Sequence, residues 1–194
     1  MDKSPGSALT VAPGFCIVVA MMLLVLPLQW VMGWLSAIAI HEFGHFAVLK
    51  CFRKPIQAVS FELGGIYIKT EAMTVGQEIL CALAGPLFGL CPLLFARVCP
   101  HIAVWALVLS GFNMLPVLPM DGGRVTHGLL RMCFGVHEAF KIGKWIGIVT
   151  VYVLGIILIM ISIKCGYVFL IPFALLLFIC KNMREKFLAN KKHR

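Results

Sequence analysis

Apolar runs, broken only by short clusters of charge or by proline and glycine, occupy most of the chain between residues 12 and 180. A helix rises about 1.5 Å per residue, so about 20 apolar residues cross the hydrocarbon of a bilayer. Six segments approach that length, at 12–29, 31–49, 77–97, 101–119, 145–163 and 165–180. The first and last are short, and Pro27, Pro92, Pro116 and Pro172 interrupt the pattern. The pattern predicts an all-α polytopic membrane protein with about six transmembrane helices. One stretch departs from this periodicity. Val59-Ser60-Phe61-Glu62-Leu63 alternates apolar with polar, Gly64-Gly65 follows, and Ile66-Tyr67-Ile68-Lys69 alternates again. A period of two around a glycine pair predicts a short β-hairpin with Gly64 and Gly65 at its turn. With no repeat or low-complexity linker, residues 1–194 read as one membrane-embedded domain, without an inserted PDZ-like domain or a C-terminal regulatory domain.

Composition changes the picture from helices to helices in lipid. Hydrophobic residues make up 61% of the chain and charged residues 13%, and the mean hydropathy is +0.97. A core of this size cannot hide so much apolar surface from water, which excludes an ordinary soluble globule. The excess of 17 Lys and Arg over 8 Asp and Glu falls in loops and tails, so a nucleic-acid-binding face is excluded as well. With six spans and both termini cytoplasmic, Lys3, Lys50, Arg53, Lys54, Lys69, Arg124, Arg131, Lys141, Lys144 and the six bases from Lys181 onward face the cytoplasm. Only Arg97 and Lys164 fall outside, and retention of basic loops on the cytoplasmic side sets that orientation. It also places the hairpin at the cytoplasmic interface. The eight cysteines contain no C-x-x-C pair and lie mainly in apolar runs, where a thiol packs as a small hydrophobe. The first apolar run lacks a preceding basic cluster and a small-residue cleavage site, and is expected to be a retained helix.

Candidate chemistry appears inside the second segment, where Ala37-Ile38-Ala39-Ile40 runs into His41-Glu42-Phe43-Gly44-His45. Ionisable groups at membrane depth face a cavity or a partner, because lipid does not solvate them. Residues i and i+4 share a helix face, so both imidazoles can reach one Zn²⁺ while Glu42 stands beside the nucleophilic water. Six His and six Glu in this chain give roughly 0.006 chance occurrences of H-E-x-x-H. His137-Glu138 begins the same way, but Lys141 stands where the second histidine belongs; with His127 these residues are assigned to a solvated cytoplasmic loop. A catalytic zinc takes three protein ligands and keeps one position open, so a third donor is required. Asp121 is the acid that fits, following Pro116 and Pro119 and preceding Gly122-Gly123 in a stretch that disrupts the helix. His45 lies five residues before Lys50, about 7.5 Å from that cytoplasmic marker. Asn113 can offer an amide to a substrate backbone or to a neighbouring helix.

H-E-x-x-H in an apolar helix, followed by Asn113-x-x-Pro116-x-x-Pro119-x-Asp121-Gly122-Gly123, resembles the site-2 protease family of intramembrane zinc metalloproteases. The second motif is most similar to the branch containing the sporulation sigma-factor-processing proteases, and Ala84-Gly85-Pro86 also fits the family. The resemblance implies that His41, His45 and Asp121 hold zinc, that Glu42 is the general base, and that Asn113 positions substrate. It further implies that the hairpin, with Gly64 and Gly65, binds an unwound substrate strand. The implied activity is regulated intramembrane proteolysis near the cytoplasmic side of a bacterial cytoplasmic membrane. The implied partners are a membrane-protein substrate, the lipid bilayer and regulatory membrane proteins. A metal-ion or small-solute transporter is the alternative use of the same His and Asp cluster.

Overall fold

The computed structural model describes residues 8–62 and 65–165. The expected sixth span, the basic tail from Lys181, Lys3, Leu63 and the expected turn residue Gly64 lie outside the described residues. The elements run β1 (Ala8–Val11), α1 (Pro13–Val25), α2 (Leu28–Cys51), β2 (Ile56–Glu62), β3 (Gly65–Thr70), α3 (Val75–Gly89), a 3-10 turn (Cys91–Phe95), α4 (Pro100–Asn113) and α5 (Asp121–Cys165). The chain is mostly helical and divides into two compact units, Met1–Asn113 and Met114–Arg194. Among the described residues, three helices are long and apolar enough to cross a membrane: Leu28–Cys51, Val75–Phe95 and Asp121–Ile157. Pro13–Val25 is a shorter apolar helix. The expected 101–119 span contracts to the 14 residues of α4, about 21 Å of rise. Beyond Asn113 the chain leaves the helix, in a stretch where Pro116 and Pro119 supply no N–H to a helical ladder.

The first unit is a set of closely approaching helices. The buried residues of α2 are Val31, Gly33, Ala37, His41, Gly44, His45 and Leu49, which form one face. That face packs on α3 and α4, whose buried residues are also small: Cys81, Ala82, Ala84 and Gly85 on α3, and Ala103, Ala106 and Ser110 on α4. Small residues let backbones approach closely where van der Waals packing, and not exclusion of water, drives association. Gly44 marks a close backbone approach, since a Cβ there would collide with the Ala84 carbonyl oxygen. Large apolar side chains point the other way: Leu24 is 86% exposed and Leu94 83%, an outer surface suited to lipid. α3 starts in a capping box, with the Gln77 amide donating to Thr74 Oγ1 at 3.3 Å and the Thr74 amide donating to Gln77 Oε1 at 3.1 Å.

Between α2 and α3 lies a sheet of order β1-β2-β3. β2 pairs antiparallel with β3, from Ile56 with Thr70 to Glu62 with Gly65. β1 pairs parallel with β2, Ala8 opposite Ala58 and Val11 opposite Phe61. β2 is therefore paired on both sides, a feature that four residues of weak alternation at the start of the chain do not announce. Gly65 is the first residue of β3 and not a turn residue. Lys54 Nζ donates to the Ala72 carbonyl at 2.8 Å, tying together the two ends of this excursion.

The second unit corrects one expectation. His127, His137 and Glu138 are helical residues of α5 and not a loop; His127 is buried at 8% exposure, while His137 and Glu138 are exposed. Gly135, at φ 76 and ψ 172, breaks the helix. Residues on either side of it then meet: the His127 and Phe140 rings lie 4.5 Å apart between centroids, and Gly143 approaches Leu130. The chain thus reverses at Gly135, and residues 140–147 return against residues 116–130. Charge density in 124–144 suggests solvent, but pairing two helical legs buries one face of each. The Gly135 backbone lies in a region that essentially only glycine occupies, and a Cβ there would meet nothing within 4 Å. Gly135→Ala is therefore expected to destabilise the protein by about 1–3 kcal/mol through backbone strain alone. Thermal unfolding in detergent checks this, and an unchanged midpoint would show that the reversal does not need glycine.

Candidate metal centre

His41 and His45 are one turn apart on the buried face of α2, at 3% and 7% exposure. Their Nε2 atoms face each other at 3.3 Å. Two imidazole nitrogens at about 2.0–2.1 Å from one tetrahedral Zn²⁺ stand about 3.3 Å apart, so the pair already has the separation of two zinc ligands. His45 Nδ1 donates to the Cys81 carbonyl oxygen at 2.8 Å. That bond places the proton on Nδ1, so that Nε2 carries the lone pair that can bind a metal. Glu42 lies between the two histidines in sequence and is half-buried.

The opposite wall is made by an absence of side chain. A Cβ on Gly85 would collide with His45 Nε2 and would stand 2.8 Å from His41 Nε2. Gly85 follows Ala84, the residue that Gly44 of α2 approaches. The glycine on each helix has a distinct role: Gly44 allows the backbones to close, and Gly85 keeps the space around the ligating nitrogens clear.

In the second unit, Asp121 is the first residue of α5 and is 7% exposed. A carboxylate at a helix N-terminus is favoured by the helix dipole, and Arg124 Nη1 lies 3.5 Å from Asp121 Oδ1. The Gly122-Gly123 pair has a steric cause. A Cβ on Gly122 would collide with the Met114 carbonyl, and one on Gly123 with the backbone of Val117 and Leu118. Residues 114–118 fold back against the start of α5, and only glycine leaves them room.

His41, His45 and Asp121 form a group whose ligand atoms lie within 4.8 Å of one another and which could hold a metal ion. The donor set, two imidazoles and a carboxylate with no sulfur, is compatible with a zinc that keeps one coordination position open. The six described cysteines are free, and none belongs to this group. Asn113 is the last residue of α4 and is half-buried, while Gly65 lies in β3 and Gly64 is outside the described residues. Sequence reading did not find the Cys81 carbonyl or the Arg124 ion pair. A backbone acceptor has no residue signature, and Arg124 reads as one more cytoplasmic base.

No protein-family profile matches the chain. A zinc metalloprotease from Methanocaldococcus jannaschii is 28% identical over 57% of this chain and 37% of that relative, so the chain spans 37% of the length of the curated relative it matches. The solved structure of a site-2 protease from the same organism superposes with a TM-score of 0.65 at 20% identity, covering 94% of this chain and 93% of that one. The fold is that of the solved site-2 protease. Three helices of membrane-crossing character agree with a membrane protein.

The Gly85 contact generates a prediction. Gly85→Ala is expected to abolish stoichiometric zinc binding, whereas Gly76→Ala on the same helix, where a Cβ meets nothing within 4 Å, retains it. Metal analysis of the two purified variants checks this. Equal zinc in both would contradict the role of Gly85.

Proposed function

We propose that this chain is an intramembrane zinc metalloprotease that hydrolyses a peptide bond in a membrane-spanning or membrane-associated protein, near the cytoplasmic side of the membrane. The observation that carries the reading is the 3.3 Å convergence of His41 and His45 Nε2 on a helix of membrane-crossing length, with Glu42 between them. His41, His45 and Asp121 would hold the zinc. When bound there, zinc polarises the scissile carbonyl and acidifies water near neutral pH. Glu42 accepts the proton of the attacking water and then delivers it to the leaving amine. Arg124, 3.5 Å from Asp121 Oδ1, orients the carboxylate as a ligand. Asn113 hydrogen-bonds the substrate backbone.

A transmembrane substrate hides its peptide bonds in its own helical ladder and must unwind before a carbonyl is reachable. Strand addition to a sheet edge stabilises an unwound segment. Because β2 is paired on both sides, the edge assigned to substrate is the outer side of β3. The bias of basic residues supports a multi-pass protein of the bacterial cytoplasmic membrane with both termini cytoplasmic. The motif from Asn113 to Gly123 supports kinship with the sporulation sigma-factor-processing branch. The transporter reading is not favoured: the similar proteins are named as proteases, and ion passage has no need of Glu42.

Glu42→Gln tests the assignment. The substitution is nearly isosteric and does not remove a ligand, so zinc content should stay at the wild-type level while cleavage falls by at least about 10²–10⁴-fold. Zinc analysis and a cleavage assay on the same preparation measure both quantities. Undiminished cleavage by zinc-loaded Glu42→Gln enzyme would remove Glu42 as the base.

A further inference from the structure

The two histidines differ in what supports the ring nitrogen that faces away from the metal. His45 Nδ1 is held by the Cys81 carbonyl. For His41 the surroundings of Nδ1 are described by Gly89, the last residue of α3, where a Cβ would stand 3.2 Å from His41 Nδ1 and 2.5 Å from Ser110 Oγ. The imidazole and the hydroxyl therefore border the same small space, which the missing side chain of Gly89 leaves open.

Ser110 belongs to the buried face of α4 with Ala103 and Ala106, one turn beyond Ala106. Alanine would serve that packing equally well, and the hydroxyl adds a polar atom to a residue that is 1% exposed. Among the described residues, Ser110 Oγ has no hydrogen-bond partner. A buried helical hydroxyl has an easy local alternative, donation to the carbonyl four residues earlier. Thr126 and Thr150 both use it, bonding Gly122 and Ile146 carbonyls at 2.7 and 2.8 Å. Ser110, the most buried of the three, does not, which leaves its hydroxyl directed to the space it shares with His41.

We infer that Ser110 is a positioning residue for the metal centre: when a metal binds, rotation about its single χ1 brings its hydroxyl across the space beside Gly89 to accept a hydrogen bond from His41 Nδ1–H, fixing the tautomer that presents Nε2 to the metal. A ligating imidazole gains basicity and a fixed ring orientation when its other nitrogen donates to an acceptor, and loss of such an acceptor weakens metal affinity about 10- to 100-fold. His45 has a backbone acceptor that substitution cannot remove. The acceptor inferred for His41 is a side chain, and it can be deleted by a single exchange.

The inference rests on the zinc reading, and the experiment separates the two. Zn²⁺ affinity is measured by chelator competition on the purified full chain for wild type, Ser110→Ala and Ser110→Thr, with the visible spectrum of the Co²⁺-loaded proteins as a second readout. Ser110→Ala is expected to bind Zn²⁺ about 10- to 100-fold more weakly and to shift the Co²⁺ bands. Ser110→Thr, which keeps a hydroxyl, is expected to restore both. Wild-type affinity in Ser110→Ala, or equal loss in Ala and Thr variants, overturns the positioning role while leaving the zinc site intact. Failure of the wild type to bind Zn²⁺ overturns the zinc reading and this inference with it.

Discussion

Two imidazoles and a glutamate on an apolar helix are stable only if the surrounding protein does what water would otherwise do, and the first unit is organised around that requirement. The close approach of α2 and α3 meets it. Because Gly44 lets the helices touch backbone to backbone, the Cys81 carbonyl comes within 2.8 Å of His45 Nδ1. Because Gly85 has no side chain, the two Nε2 atoms remain free to face each other. Small residues are therefore as much a part of the metal centre as the ligands: they set the distance at which a carbonyl can act as an acceptor and the volume that a metal can enter.

The second unit solves a related problem with different means. Asp121 offers its carboxylate from the first turn of a helix, and the non-helical stretch from Met114 to Met120 brings the chain to that start. The prolines end α4 and the glycines admit the returning backbone. Arg124 then sits beside the carboxylate, so the residue that would bind a cation is not left as an uncompensated buried charge.

The parts of this architecture that were legible in the sequence are those encoded by spacing. H-E-x-x-H fixes two histidines on one face because the helical period is invariant, and the alternation from Val59 to Lys69 marks strands because the pleat has a period of two. Other parts depend on contacts that no period records. β1 is only four residues long, and it is ordered by pairing with β2 and not by its own composition. His127 sits among Arg124, Arg131 and Lys141, which reads as solvated, yet the reversal at Gly135 buries it against Phe140. Ser110 looks like one more small residue in a helix-packing row, and only its missing local hydrogen bond distinguishes it. Gly85 lies within a recognisable tripeptide, but its purpose appears only when the imidazole nitrogens are placed beside it.

The central claim is that this chain binds zinc through nitrogen and oxygen and not through its eight cysteines. X-ray absorption at the zinc edge of the purified, zinc-loaded protein tests that directly, because Zn–N and Zn–O distances of about 2.0–2.2 Å separate from Zn–S distances of about 2.3 Å. The account predicts a first shell of nitrogen and oxygen with the multiple-scattering signature of two imidazoles and no sulfur. It also predicts one imidazole in His41→Ala if zinc is retained at all. A sulfur-containing shell, or a zinc signal unchanged in His41→Ala, would contradict it.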